Sequence, residues 1–333
     1  MLEVKEVFNC HPDALPSEVL AANEPVIFRG LLRSWPLVKA GLSSAAEANQ
    51  YLKSFYKDRT IGAYFGAPEI AGKLFYNEDM SAMNFENHFL KLDAVLDKIT
   101  AHSEDLNPPT IYVGSTTLDI CLPGLRAAND LAIPHDNPLV SIWISNKTRI
   151  PSHYDAPDNI ACVAVGKRRF TLFPPHQIAN LYPGPLDLTP AGQVISLVDF
   201  KNPDFEKFPR FRQALEHGMV AELEAGDALF LPSMWWHQVE SLANFNVLIN
   251  YWWRSVPDYR GQAVAVLKHA LLSIRDLPDK EKDAWKHIFD HYVFGNAKQS
   301  IENIPEHAQG FLGPIDDISS RQLRAWLINQ LNK

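Results

Sequence analysis

The sequence predicts a mainly β chain, closed as a barrel or sandwich, with helices at its flanks and a helical C-terminal region. Three observations carry this. Residues 108–257 are rich in β-branched and aromatic runs, broken by Pro or Gly every few residues, as a barrel requires. Pro257-Asp258 then marks a switch from strand-like to helical spacing of apolar residues. Finally, His153, Asp155 and His237 each fall beside a turn at a predicted strand end, where a barrel mouth gathers side chains from distant strands.

Taken in order, residues 1–100 mix short strands with helices. Within them, Phe85, Phe89, Leu92, Val95, Leu96 and Ile99 predict a helix over Asn84–Thr100. Asn159–Phe173 reads as one β-rich stretch stopped by Pro174-Pro175. Gly226-Asp227 reads as a turn before the apolar run Ala228–Leu231, and Pro232 ends that run. His237 opens a further strand-like stretch, and Asn244–Trp253 another. Beyond Pro257, Ala263, Leu267, Ala270, Leu271 and Ile274 form one helical face; Trp285, Ile288, Phe289 and Tyr292 form a second. Ser319 is the expected N-cap of a last helix carrying Leu323, Trp326, Leu327 and Leu331. The expected division is residues 1–257 and 258–333.

Composition bounds the function. Hydrophobic content of 46% and charged content of 21% describe an ordinary globular chain. A net charge of −8 argues against a general nucleic-acid or anionic-membrane surface. Cys10, Cys121 and Cys162 have no CxxC spacing and are odd in number, so neither a zinc site nor a disulfide framework is indicated. The N-terminus lacks an apolar signal core and no segment approaches membrane-spanning length, so a reducing, cytoplasmic setting is expected.

The chemistry lies in Pro151-Ser-His-Tyr-Asp155 and in Ala225–His237, which ends Met-Trp-Trp-His. Two imidazoles and one carboxylate are the set that holds non-haem Fe(II) on one face and leaves other positions open. On an extended strand His153 and Asp155 share a face while Tyr154 points away. The tripeptide alone is weak, since His11-Pro12-Asp13 repeats it in a stretch without strand pattern.

With these residues in place, Ile150–Trp253 resembles the Jumonji-C, or cupin-like, family of Fe(II)/2-oxoglutarate oxygenases, nearest the asparaginyl hydroxylase of hypoxia-inducible factor. The resemblance extends through Gly166–Pro175, Leu181-Tyr-Pro183, Val198–Phe211 and Trp235–Ser241. Glu24–Gly30 with Ser34-Trp35-Pro36 resembles the family's N-terminal opening. It implies a double-stranded β-helix (cupin/jelly-roll) barrel, with His153, Asp155 and His237 as iron ligands and 2-oxoglutarate and O2 as cosubstrates. It further implies that Tyr112, Asn159 and Asn250 line the cosubstrate pocket and that Arg168 binds its distal carboxylate. Trp252 shares the parity of Asn250 and is expected to wall the same pocket; Trp236, opposite to His237, is expected in the core.

Two positions depart from the family. Arg168 stands where close relatives carry lysine; parity makes it the inward residue, with Lys167 and Arg169 on the other face. Ile150 stands where the family often carries a threonine hydroxyl, and Thr171 is a candidate substitute donor. His135, His176 and Glu240 receive no role. The leading expectation is hydroxylation of a polypeptide side chain. The alternatives are the same chemistry on a small metabolite or RNA, or a non-catalytic metal-binding cupin serving as an interaction module. The C-terminal helices are expected to form a homodimer.

Overall fold

The computed structural model describes residues 1–332 and divides at Ser255/Val256 into two compact units. In the first unit the strands are β1 (Leu2–Glu3), β2 (Lys5–Val7), β3 (Val26–Phe28), β4 (Thr60–Gly66), β5 (Glu86–Lys91), β6 (Thr110–Thr117) and β7 (Leu139–Ser145). They continue with β8 (Thr148–His153), β9 (Asp158–Val165), β10 (Lys167–Phe173), β11 (Met219–Glu224), β12 (Ala228–Leu231), β13 (Trp236–Ser241) and β14 (Asn246–Trp253). They form a five-stranded sheet in the order β1-β11-β10-β13-β8 and a nine-stranded sheet in the order β2-β3-β12-β9-β14-β7-β6-β4-β5. The expected mainly β architecture with flanking helices, a cupin-type jelly roll, is what forms.

Burial on both faces explains the sequence of the central strand β9. Along β9, Ile160, Cys162 and Ala164 pack on one side in a cluster with Leu52, Leu96 and Ile99 from the covering helices. Ala161 and Val163 pack on the other side with Phe170, Leu172, Leu223 and Leu231, filling the space between the sheets. A strand covered twice reads as a continuous apolar run rather than an alternation. The outer face of the smaller sheet carries Phe173 and Trp236 under Leu181, Phe208 and Phe211, so Trp236 lies in the core.

Three expectations are corrected. The stretch Asn159–Phe173 is two strands in different sheets, joined at Gly166, whose φ of 81° is left-handed. A Cβ there would stand 2.7 Å from the Phe245 carbonyl oxygen, so both dihedral and space demand glycine. The predicted helix over Asn84–Thr100 begins only at Leu92 and runs to Ala101; Glu86–Lys91 is β5, paired with β4. The apolar set Leu92, Val95, Leu96 and Ile99 is buried, whereas Phe89 is 74% exposed, so its i, i+4 spacing from Phe85 was coincidental. In the C-terminal unit the last helix spans Asp317–Leu331 with Asp316, not Ser319, as N-cap; Ser319 is the third helical residue and completes a reciprocal capping box.

The C-terminal unit contains the helices Ala263–Ser273, Asp279–Phe289 and Asp317–Leu331. The first two bury no residue and the third buries only Ser320. No helix among the described residues is long and apolar enough to cross a membrane.

Candidate metal and cosubstrate site

His153 and His237 arrive from adjacent strands. They are cross-strand partners in the β8–β13 pair, with ring centroids 4.3 Å apart. The register then slips, pairing Val239 with Ile150, so β8 carries one extra residue. Pro151 lies in that bulge, where its missing N–H costs no ladder hydrogen bond. Asp155 lies past the end of β8, in the loop before β9, rather than on the strand as the i, i+2 argument expected. A hydrogen bond from Met234 N to the Asp155 carbonyl, 2.8 Å, ties that loop to the turn preceding β13. Ser233 adds two more ties, its N–H to Asp158 Oδ1 at 2.9 Å and its hydroxyl to the Ala156 carbonyl at 2.7 Å. The turn and the loop therefore hold Asp155 and His237 in one frame.

The ring orientations follow from the backbone. Nδ1 of His153 lies 2.9 Å from the Pro151 carbonyl and Nδ1 of His237 lies 2.9 Å from the Trp235 carbonyl. A carbonyl only accepts, so each Nδ1 carries the proton and each Nε2 keeps its lone pair for a metal. His237 Nε2 is 3.6 Å from Asp155 Oδ2. One donor atom from each of His153, Asp155 and His237 falls within 4.8 Å of the others, the only such acidic or metal-binding cluster among the described residues. Burial, with His153 alongside, drives the His237 pKa down to about 4, against the opposing pull of Asp155. Two imidazoles whose Nδ1 atoms face backbone carbonyls, together with a carboxylate, suit a divalent first-row ion. By contrast His11 and Asp13 are exposed and belong to no such cluster.

A cavity of about 500 Å³ adjoins the cluster, lined from both sheets. Arg168 is 3% exposed and faces it, while Lys167 and Arg169 point outward to Glu222, Glu224 and Glu240. The Arg168 Nε and Nη2 atoms are buried with no hydrogen-bond partner. Burial lowers its pKa to about 10, which still leaves it cationic at neutral pH. A buried unpaired guanidinium is costly, and a carboxylate is the ligand its fork matches. Tyr112 lines the same cavity; burial pushes its phenol above the ordinary range, Arg168 opposing, so its hydroxyl stays a neutral donor.

Asn250 bridges two neighbours. Its Oδ1 accepts from Trp143 Nε1 at 2.7 Å and its Nδ2 donates to Asn159 Oδ1 at 3.2 Å. Trp252 packs edge-on against Trp143 at 5.7 Å, and its Nε1 is buried without a partner. All five predicted pocket residues thus meet at one cavity. Thr171 does not line it, because its offset from Arg168 is odd; Ile150 does, and brings no hydroxyl. Sequence reasoning missed a whole wall: Gly62 and Tyr64 of β4, Phe85, Gly114–Thr116 of β6, Trp143, and Pro190, Ala191 and Gln193 of the loop Gly184–Val198. Of these, only a glycine inside a strand-like run was a readable signal.

With this geometry established, a family model described as a cupin-like domain matches residues 12–259. Similarity extends to "Lysine-specific demethylase JMJ31" of Arabidopsis thaliana, 34% identical over 117 residues, covering 35% of this chain and 21% of that protein. It extends also to "tRNA wybutosine-synthesizing protein 5" of Gallus gallus, 33% identical over 147 residues, 40% of this chain and 43% of that one. "JmjC domain-containing protein D" of Dictyostelium discoideum is 29% identical over 249 residues, 68% of this chain and 51% of its own. The chain spans between about a fifth and about half the length of these curated relatives.

Proposed function

This chain belongs to the Jumonji-C group of the cupin-like family, and from that premise we propose that it is an Fe(II)- and 2-oxoglutarate-dependent oxygenase that hydroxylates a polypeptide side chain. The observation that carries the reading is Arg168, whose Nε and Nη2 are buried without a partner, in the same cavity as the His153/Asp155/His237 cluster. A metal site alone would suit a binding module; a metal site beside a buried guanidinium in the same cavity suits a carboxylate-bearing cosubstrate.

His153, Asp155 and His237 would hold the metal, Arg168 the distal carboxylate, and the Tyr112 hydroxyl a cosubstrate oxygen. The Trp143–Asn250–Asn159 chain holds the Asn159 amide, and Trp143 and Trp252 wall the same cavity. When bound, the iron and cosubstrate supply the oxidation: 2-oxoglutarate, O2 and a substrate C–H give succinate, CO2 and C–OH. No side chain is required as general base.

The polypeptide substrate rests on the resemblance to the asparaginyl hydroxylase branch. A net charge of −8 gives RNA no general surface to bind. Three free thiols, none of them in a disulfide, suit a reducing, cytoplasmic setting. The deciding experiment is succinate release from 2-oxoglutarate under air, with and without Fe(II), for the native protein and for His153→Ala. Release that persists without iron or in the variant would refute the assignment.

The reading includes assembly as a homodimer through the C-terminal helices. These present Leu267, Trp285, Trp326 and Leu331 to solvent without an apolar core beneath them. Residues 256–333 carry ten Lys or Arg and ten Asp or Glu, so a second copy meets no net repulsion.

A further inference from the structure

Two glycines in the cavity wall have neither a left-handed backbone nor a crowded Cβ position to require them. Of the sixteen in the chain, Gly62 and Gly114 are the two with a backbone outside the left-handed region and with no atom nearer than 3.4 Å to an added Cβ. Other glycines show their constraint. Gly41 has Val165 Cγ2 at 2.7 Å from such a Cβ, and Gly72 combines a φ of 80° with the Lys147 carbonyl oxygen at 2.7 Å. A glycine inside a strand weakens it, and where packing does not require one it marks a close approach by a ligand or another backbone.

The ladder puts these two together. Tyr64 pairs with Tyr112 and Ala63 with Val113 at the end of the antiparallel β4–β6 ladder, and Gly62 and Gly114 are the next residues of the two strands. Both share the face of Tyr64 and Tyr112 that lines the cavity. Beyond Val113 the β6–β7 register slips, and this bulge brings Ser115 into the wall beside Gly114 and Thr116. A patch of bare strand backbone results, bordered by Tyr64, Phe85, Ser115 and Thr116 and lying on the same cavity as Gln193.

The lining is also electrically closed. Apart from tyrosines, its only ionisable side chains are His153, Asp155, His237 and Arg168. On the reading proposed above, a divalent metal and the Arg168 cation balance Asp155 and a dianionic cosubstrate. No charge is left to pair with a charged substrate group, and an unpaired one would be strongly disfavoured there.

We infer that the Gly62–Gly114 pair is the substrate slot: an extended polypeptide segment lies against its bare backbone and sends an uncharged side chain toward the metal cluster. This rests on the oxygenase reading and adds the class of residue modified. The cavity volume of about 500 Å³ leaves room for such a side chain beyond a five-carbon dicarboxylate.

The test uses degenerate short peptides, each set fixed at its central residue, incubated with the full-length protein, Fe(II), 2-oxoglutarate and air. Hydroxylated peptide is read as a mass gain of one oxygen. Sets centred on uncharged residues should be modified, and sets centred on Lys, Arg, Asp or Glu should not. Gly62→Val and Gly114→Val should reduce peptide hydroxylation at least about tenfold, with Gly62→Ala and Gly114→Ala losing less. In all four, the anaerobic absorption band of the Fe(II)–cosubstrate complex should be retained, showing an intact fold and site. Modification chiefly at charged residues, no modification of any set, or undiminished turnover in both valine variants would overturn the inference. Absence of the anaerobic band in the native protein would instead remove the oxygenase reading itself.

Discussion

His153 and His237 face each other directly across the β8–β13 ladder, and each donates its Nδ1 proton to the backbone carbonyl two residues earlier in the chain. The same backbone that pairs the strands therefore aims both Nε2 atoms. Such support is stiff, because no side chain needs to be placed by another side chain. We expect one Fe(II) per chain, with His153→Ala and Asp155→Ala abolishing both metal binding and succinate release. Anaerobic titration with metal analysis checks this; stoichiometric iron in either variant would contradict it.

Arg168→Ala should weaken 2-oxoglutarate binding by about 2–5 kcal/mol, the usual cost of removing one partner of a buried charge pair. Arg168→Lys should recover part of this, a single ammonium replacing a two-pronged fork. Lys167→Ala and Arg169→Ala, whose side chains pair with Glu222 on the outer face, should leave affinity unchanged. Titration of the cosubstrate under anaerobic Fe(II) separates the four variants. A large effect confined to Lys167 or Arg169 would mean that the anion enters elsewhere.

The metal-free protein should lose stability as the medium is acidified. Burial holds His237 at about 4 in the folded chain, whereas an unfolded histidine titrates near 6.5. Between those values the unfolded state binds the proton and the native state does not, so stability falls as pH drops through the window. The loss approaches about 3 kcal/mol by its lower end. Urea midpoints from pH 7 to pH 4 in the presence of a chelator should show this slope, and His237→Gln should flatten it. An equal slope in the variant would place the titration on another group.

Asp227 should matter to the fold more than its turn position suggests. Its carboxylate accepts from Arg29 Nη1 at 2.7 Å, Gly30 N at 2.8 Å and Glu224 N at 3.2 Å, joining the segment after β3 to the turn before β12. Asp227→Ala removes one of the two carboxylates on the part-buried Arg29, leaving Glu6, and strands the Gly30 and Glu224 N–H groups, and should cost about 1–3 kcal/mol. Asp227→Asn, which keeps one acceptor oxygen, should cost less. Denaturant midpoints decide; a neutral alanine variant would show the network to be dispensable.

In sedimentation at micromolar concentration the protein should run at twice the chain mass. Leu327→Glu with Leu331→Glu, on the exposed face of the last helix, should return it to a monomer without unfolding the first unit. A native protein at one chain mass would end the dimer proposal.

What was legible in the sequence was what alternation dictates. The inward position of Arg168 and the outward pair Lys167 and Arg169 follow from the two-residue period alone, as does the shared face of Asn250 and Trp252. Gly166 was not read as a corner, because the apolar runs on either side are alike and only the third dimension assigns them to different sheets. The wall formed by β4 and β6 was invisible for a related reason. Those strands join the nine-stranded sheet beyond β7, and nothing local in Thr60–Gly66 names Thr110–Thr117 as its partner. The helix expected from Asn84 failed where two phenylalanines matched the helical period while their segment paired with β4 as a sheet edge.

The β8–β13 pairing has a kinetic consequence. It joins residues more than eighty positions apart, and β13 is sandwiched between β8 and β10 in its sheet. Contacts of such long sequence separation form late, since a large loop must close before they can contribute. The donor atoms of His153 and His237 consequently have no common location until the smaller sheet is nearly complete. A metal ion held by these residues would therefore be loaded onto a nearly finished barrel, as an event separate from most of folding.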